Sequence, residues 1–304
     1  MKVLLSIFSA LVVFSASAQI NPPDSSVQVI GYWSKQDKQT YRISDSKFKV
    51  QGEDTTSVET IRYEVDITVL DSTENSYIVE WHYKNFDVAG SNNFTKSIAS
   101  IFKDIKVVIK TTEMGAFQEV VNWKEVQGEM KKAFGVIRKQ FKTSPNIETL
   151  LANVEAQMSS KESIESAAIE DVLQFYTFHG GKYVLNSDVE EQLVSNGIPE
   201  VPVNVLMTVR LAEINVEEDN AVLRYWKEFD PKQMTDASYE MMRKLVKSSG
   251  EKLPLRSEMP EIRYEENVGC RIHGSTGWVI YSVLTKQTAT GDAASVEQRE
   301  IEIL

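Results

Sequence analysis

The spacing of the apolar residues changes twice along this chain of 304 residues. Apolar and polar residues alternate over 62–69 and again over 77–84, which is typical of strands with one buried face. From Trp123 to Phe175 the apolar residues recur at intervals of three and four, as in amphipathic helices. The first predicted stripe consists of Trp123, Val126, Met130, Ala133, Ile137 and Phe141. Alternation returns after Lys182, where strands are expected over residues 203–214 and 221–229. This pattern predicts an α+β fold, in which a helical segment separates two antiparallel β-rich parts packed with helices.

The same pattern divides the chain into four parts. Residues 1–18 have the features of a signal peptide, and residues 19–121 form an N-terminal β-rich part. A helical segment follows over residues 122–181, and residues 182–304 form a C-terminal β-rich part. Short turns separate the strands within each β-rich part, so we expect hairpins. Whether the two parts share one sheet stays open at this point.

The first residues predict export from the cytoplasm. Lys2 is followed by an apolar run over residues 3–14, and residues 16–18 fit the small-x-small cleavage rule. The run is shorter than the roughly 20 apolar residues of a bilayer span. Cleavage would leave Gln19 as the first residue, in a periplasmic or secreted protein without a membrane span. An uncleaved anchor is the alternative.

Composition argues against several classes of function. Lys and Arg together number 33 and Asp and Glu number 44, which gives a net charge of −11. Nucleic-acid binding requires clustered cationic residues, so no nucleic-acid partner is expected. The single cysteine, Cys270, excludes an intrachain disulfide and a cysteine-based zinc site. We interpret Cys270 as a small buried hydrophobic residue.

Local signatures of catalysis and of cofactor binding are missing. Phosphate-binding loops, dinucleotide-binding glycines and the His-Glu-x-x-His motif are absent, so we predict no cofactor and no metal site. The stretch nearest to a Gly-x-Ser-x-Gly elbow, residues 274–277, has the wrong spacing. We interpret His179 and the two glycines after it as a helix C-cap. The sequence therefore predicts no catalytic residue, although a site scattered over the fold stays an alternative.

Two stretches of the β-rich parts follow one order. In each, a long strand and an acidic turn that ends in Asn precede a Trp-bearing strand, a Phe-Asp pair and a helix. Asn75 precedes Trp81 by six residues, and Asn220 precedes Trp226 by six. This order is compatible with a duplication, and equally with coincidence between common hairpins.

Long antiparallel strands interrupted by helices, behind a signal peptide, resemble the half-barrel folds of periplasmic lipoprotein carriers and related cell-envelope proteins. In those families a curved antiparallel sheet wraps helices and leaves an apolar cavity for acyl chains. The resemblance is architectural, covers residues 32–121 and 182–304, and transfers no functional residue. The chain also resembles uncharacterised secreted proteins of the bacterial envelope, through phrases such as residues 71–77. These resemblances imply an extracytoplasmic compartment and, from the first, a lipid ligand.

Aromatic and methionine residues indicate where such a ligand would lie. The helix that begins at Pro231 follows the Trp226 strand and should bury its apolar stripe on the sheet, leaving space where the two diverge. Tyr225 and Trp226 point to opposite faces, and Trp226 is preferred. Flexible methionines and flat rings suit adaptable pockets. The predicted ligand-binding residues are Trp226, Met207, Met241, Met242 and Trp278. The simpler interpretation is that these residues form a plain core.

The sequence thus favours an exported, non-catalytic protein that binds an apolar or amphipathic ligand such as a lipid. One alternative is a structural or interaction protein of the envelope, and another is a hydrolase with a dispersed site. A cavity between sheet and helix would favour binding. A filled core with exposed apolar patches would favour the structural protein. A cleft that joins histidines or carboxylates with shifted pKa values would favour the hydrolase.

Overall fold

The computed structural model describes residues 19–90, 96, 102–141, 148, 151–152, 155–156, 159–198, 201–249 and 254–304. The predicted signal peptide lies outside the described residues, as do most of the helices predicted near 94–102 and 146–158. No helix in the described part of the chain is long and apolar enough to cross a membrane.

About half of the described residues form one antiparallel sheet of eleven strands. Its strands are β3 (Lys38–Gln51), β4 (Asp54–Ser72), β5 (Ser76–Ala89), β6 (Lys106–Thr112), β7 (Phe117–Val120), β9 (Asp188–Ile198), β10 (Val201–Asn215), β11 (Asn220–Phe229), β12 (Ile262–His273), β13 (Val279–Thr290) and β14 (Ala293–Ile303). The spatial order is β7-β6-β5-β4-β3-β14-β13-β12-β11-β10-β9. A second, small sheet has the order β1-β2-β8, from β1 (Ile20–Asn21), β2 (Ser26–Gln28) and β8 (Lys182–Val184).

The two β-rich parts join into this one sheet because β3 pairs with β14. Tyr41 lies opposite Ile303 at one end of the pair, and Gln51 lies opposite Ala293 at the other. Each half is a meander of strands that are consecutive in the chain. The antiparallel prediction is therefore confirmed. The α+β class overstates the helices, since strands dominate and the fold is better described as β-rich.

The α-helices whose bounds the structure describes are α1 (Trp123–Gln140), α2 (Lys161–Ser163), α3 (Glu170–Phe175) and α4 (Pro231–Ser249). A π-helical segment, Ile164–Ala168, links α2 to the residues before α3. Helix α1 follows the predicted stripe and buries Val126, Met130, Phe134 and Ile137. Asn122 occupies the N-cap position of α1, but its side chain does not cap the helix. The Asn122 amide oxygen accepts a hydrogen bond from the Val108 N–H at 2.8 Å, so this side chain ties α1 to β6.

The core lies on one face of the sheet, which we call the inner face. The predicted apolar face of β5 is confirmed, because Tyr77, Val79, Trp81 and Tyr83 are all buried there. The Phe175 ring of α3 meets the Trp81 ring edge-on, with centroids 5.3 Å apart. Helix α3 therefore lies over the central strands and closes the core.

A buried carboxylate on the outer face of β4 holds three strands together. Asp66 is 9% exposed and accepts hydrogen bonds from Lys84 of β5 at 2.7 Å and Thr40 of β3 at 2.7 Å. The Lys38 ammonium lies 2.8 Å from its second oxygen. Burial raises the pKa of Asp66, but the hydrogen bonds from Lys38, Lys84 and Thr40 outweigh burial and hold this pKa well below its ordinary value.

We expect Asp66→Asn to lower the free energy of unfolding at neutral pH by about 1–3 kcal/mol, since it breaks buried charge-assisted hydrogen bonds. The depressed pKa contributes stability above the unfolded-state pKa of about 3.9, and that contribution is lost as the pH falls further. Urea denaturation should therefore show the deficit shrinking between about pH 5 and about pH 2. Asp71→Asn is the control, because Asp71 lies on the same strand, is half exposed and forms an exposed ion pair with Lys35 at 3.4 Å. Equal losses in the two variants would contradict this prediction.

Candidate functional site

A cavity of about 460 Å³ lies between α3 and the inner face of the C-terminal strands. Helix α3 and the turn after it form one wall, and β10, β11, β12 and β13 form the other. Its apolar lining includes Leu173, Phe178, Tyr183, Met207, Val209, Tyr225 and Leu284, and its polar lining includes Glu170, Gln174, Lys227, Glu266 and Lys286. Such a volume is within the ordinary range for small-molecule sites.

A second cavity, also of about 460 Å³, lies further along the same face beneath α4. Its lining includes Leu193, Val203, Val205, Phe229, Met234 and Tyr264. Lys227 and Glu266 line both cavities. We call the two cavities together the inner groove. It has apolar ends and a charged middle.

Strand alternation and helix packing explain the lining. Met207 of β10 lies opposite Lys227 of β11, and both point inward because Val205 and Tyr225, two residues away on their strands, are buried on that face. At the far end, α4 packs through Met234 and Ala237 against Val203. The predicted burial of an α4 stripe on the sheet is therefore confirmed at these residues.

The charged middle of the groove belongs to a cross-strand row. The Lys227 ammonium lies 2.9 Å from Glu266, which also accepts a hydrogen bond from the Tyr225 hydroxyl. Lys286 lies opposite Glu266 in register and contacts Glu170 of α3 at 2.9 Å. Signs alternate along the row, which reads Lys227, Glu266, Lys286, Glu297, Lys47 and Glu59. Because both groove lysines are paired with carboxylates, the middle of the groove is polar without a large net charge.

Burial and these contacts shift the pKa values of groove residues. Burial raises the pKa of the Tyr225 hydroxyl, and the neighbouring Glu266 carboxylate raises it further. Burial also raises the pKa of Glu170, but Lys286 and Arg299 outweigh it and leave this pKa below its ordinary value. The Tyr225 hydroxyl therefore stays protonated and Glu170 ionised at neutral pH.

Of the predicted ligand-binding residues, Met207 lines the inner groove. Trp226 does not share this face. Tyr225 points inward, with its ring centroid 6.2 Å from that of Phe178, so Trp226 points to the outer face, where Arg210 lies 5.5 Å from its ring centroid. The preference for Trp226 over Tyr225 was therefore wrong about the face. The sequence repeat does not extend to the faces of the sheet, since Trp81, six residues after Asn75, points inward and Trp226, six residues after Asn220, points outward.

The other predicted residues lie in three different environments. Trp278 is buried in the core, with its ring centroid 5.0 Å from that of Trp33. Met241 is 43% exposed on α4, and Met242 is half-buried on the same helix. Because Met207 points to the inner face, Trp226 to the outer face and Trp278 into the core, the five residues do not line one cavity, and a ligand contact by any of them stays a prediction. Ala221 and Leu223 precede Tyr225 at intervals of two residues, and both are buried. This alternation indicates that Tyr225 points to the same inner face.

Histidine and serine side chains near the sequence motifs engage other partners. His179 is buried, which lowers its pKa to about 4, and its Nε2 lies 2.8 Å from the Gly277 carbonyl oxygen. The Ser275 hydroxyl donates to Asp219, while His273 Nδ1 lies 3.0 Å from the Thr276 hydroxyl. Neither arrangement pairs a serine with a basic histidine, which nucleophilic catalysis requires. Cys270 is buried as predicted, and burial raises its pKa to about 12.

A buried cluster of carboxylates lies beside the groove. Asp171 of α3 accepts hydrogen bonds from the hydroxyls of Tyr63 and Tyr83, each at 3.1 Å. Burial raises the pKa of Asp171 and of Asp45, and Arg299 offsets only part of this effect. Neither carboxyl lines the inner groove, so the cluster has the geometry of a structural network rather than of a cleft. The described residues contain no group of three or more His, Cys, Asp or Glu side chains that could hold a metal ion.

Comparison with known proteins identifies no family for this chain. No family model matches the sequence, and no curated protein matches it. The similar solved structures include one described as lipid-protein interactions in lipovitellin, with a TM-score of 0.41 and 8% sequence identity. That alignment covers 89% of this chain and 25% of the lipovitellin chain, so this chain spans about a quarter of that protein's length.

Proposed function

We propose that this protein is exported, is not an enzyme, and binds an amphipathic ligand with an apolar chain in the inner groove. The observation that carries this proposal is the cavity between α3 and the sheet, with Met207, Val209, Phe178 and Leu284 as apolar walls. Such a cavity is the feature expected of the binding hypothesis. The apolar side chains of this cavity would shield a hydrocarbon chain from water. Such burial is favourable by about 25 cal/mol for each Å² of apolar surface.

The paired charges in the middle of the groove indicate an amphipathic ligand rather than a pure hydrocarbon. Lys227 and Glu266 stand between the two apolar ends, within reach of a polar group on the ligand. Lys227 and Glu266 are already paired with each other. A ligand with a neutral or zwitterionic head group would leave this ion pair intact, whereas a strongly anionic head group would compete with Glu266 for Lys227. Export rests on the signal-like residues 1–18.

We expect Met207→Trp to weaken binding of a dansylated lysophosphatidylcholine probe, which has a zwitterionic head group, at least tenfold, because the larger ring would occupy the groove. Fluorescence titration of the full chain measures this effect. Leu206→Trp is the matched control, since Leu206 is the preceding residue and points to the outer face, and it should bind as the wild type does. Equal affinities in both variants, at unchanged melting temperature, would place the probe elsewhere and reject the groove.

Native mass spectrometry of protein purified from its own cell envelope tests the ligand itself. The proposal expects a co-purified lipid that is lost in Met207→Trp and kept in Leu206→Trp. Absence of retained lipid, together with no binding of the dansylated probe, would rule out the binding function.

A further inference from the structure

A third cavity, of about 530 Å³, lies across the sheet from the inner groove, on the outer face of β11, β12 and β13. Outward-pointing residues on its lining are Val222, Arg224, Trp226, Asn267, Gly269, Arg271, Tyr281 and Val283. We call this cavity the outer groove. Arg224 and Arg271 are exposed, and Tyr281 is 37% exposed.

Gly269 forms the floor of the outer groove. It lies in the interior of β12, between Arg224 of β11 and Val283 of β13. A Cβ atom there would meet only Val283 Cγ1, at 3.7 Å, which is ordinary van der Waals contact. The φ angle of Gly269 is not positive. Gly277 differs in both respects, because its φ angle is positive and a Cβ atom there would clash with the Ile30 carbonyl oxygen. Neither backbone conformation nor packing requires glycine at 269, so its effect is to keep the groove open.

The positive charge of the outer groove lacks a matching carboxylate. Arg224 lies directly opposite Arg210 of β10, and like charges in this position repel each other. Arg210 is paired with Asp188 through two hydrogen bonds. Within the part of the chain that the structure describes, the guanidinium groups of Arg224 and Arg271 form no ion pair and no hydrogen bond. A planar anion could therefore be held by both groups without breaking an existing contact.

Two aromatic rings mark the ends of the outer groove. Trp226 and Tyr281 are separated by two strand spacings and four residues along the strands, or roughly 16 Å. The carboxylates nearest to Tyr281, those of Glu300 and Glu302, lie beyond it on β14. An anionic ligand would therefore extend from Tyr281 towards β11. Aromatic faces carry negative charge and attract the C–H faces of sugar rings.

We propose that the outer groove binds an acidic oligosaccharide, whose carboxylates contact Arg224 and Arg271 and whose sugar rings lie against Trp226 and Tyr281. This site is independent of the inner groove. A chain with a net charge of −11 repels anions in general, so selective affinity for an acidic sugar requires such a local arrangement.

Isothermal titration of the full chain with trigalacturonate tests this proposal, with maltotriose as the neutral counterpart. The wild type should bind trigalacturonate, increasingly weakly as salt is added, and should not bind maltotriose. Arg224→Gln and Arg271→Gln should each weaken binding at least tenfold. Gly269→Val, which fills the floor, should have a similar effect at an unchanged melting temperature. Arg42→Gln, on the same face but paired with Glu302, should bind as the wild type does.

Three results would overturn the proposal. The first is that the wild type binds no trigalacturonate, and the second is that the arginine variants bind it unchanged. The third is that polyglutamate binds as tightly as trigalacturonate and Tyr281→Ala has no effect, which would assign the groove to acidic peptides. Met207→Trp should leave trigalacturonate binding intact, so failure of this site and failure of the inner groove are distinguishable.

Discussion

Replacing Trp81 by alanine is expected to lower the free energy of unfolding by about 3–5 kcal/mol, the usual cost of truncating a fully buried tryptophan. Trp81 has no exposed surface, and its ring contacts those of Phe175 and Tyr176 at centroid distances of 5.3 and 6.2 Å. The cavity left behind would separate α3 from the central strands. Urea denaturation, followed by both fluorescence and circular dichroism, measures the loss.

Trp226→Ala is the matched control for this prediction. Trp226 is the same residue type in the other half of the sheet, but it is half-buried on the outer face. Its truncation should cost about 1 kcal/mol or less. If Trp81→Ala does not fold, Trp81→Phe should fold with an intermediate loss. Equal losses for the Trp81 and Trp226 alanine variants would contradict the assignment of the two faces.

Arg299→Ala is expected to be strongly destabilising, by about 3 kcal/mol, because it leaves the buried Asp171 and the partly buried Asp45 and Glu170 without this cation. The Arg299 side chain is 16% exposed, and its guanidinium lies 2.7 Å from Asp45 and 3.4 Å from Glu170. Asp171 is buried nearby, and Arg299 acts to lower its pKa. The same substitution at Arg42, an exposed arginine of the outer face, should cost less than about 1 kcal/mol.

The loss in Arg299→Ala should depend on pH in a definite direction. Burial already raises the pKa of Asp45 and Asp171 in the wild type, and removing Arg299 removes an opposing effect. A carboxyl with a raised folded-state pKa opposes folding above its unfolded-state value of about 3.9. The deficit of the variant should therefore be smaller near pH 5 than near pH 8. A deficit that does not change with pH would contradict this account.

Alternation along the strands was enough to predict much of the C-terminal sheet. The expected strands 203–214 and 221–229 correspond to β10 and β11 within about two residues at each end. These segments are predictable because one face is buried against a core, so apolar residues must recur with a period of two. In α1, apolar residues at intervals of three and four predicted the buried residues Val126, Met130 and Ile137. Phe134 is also buried, but the predicted stripe did not include it.

Two strands of the large sheet, β3 and β9, were not predicted, and both carry too few apolar residues to show alternation. In β3 only Tyr41 and Ile43 are buried, and the next inward positions hold Asp45 and Lys47. In β9, at the sheet edge, most of the described side chains are exposed. Polar residues at inward positions mark where the core ends, and that boundary depends on which helices cover the sheet.

The sequence by itself determined the local structure: the antiparallel strands, the amphipathic helix α1 and the buried face of β5. Only the tertiary structure decided which distant segments meet. The ion pair between Asp45 and Arg299 joins residues 254 positions apart, and the groove combines α3 with strands from beyond the helical segment. The pattern of apolar residues shows which face of a strand or helix is buried. It does not show which strand pairs with which, because the pairing of β3 with β14 depends on the packing of the whole chain.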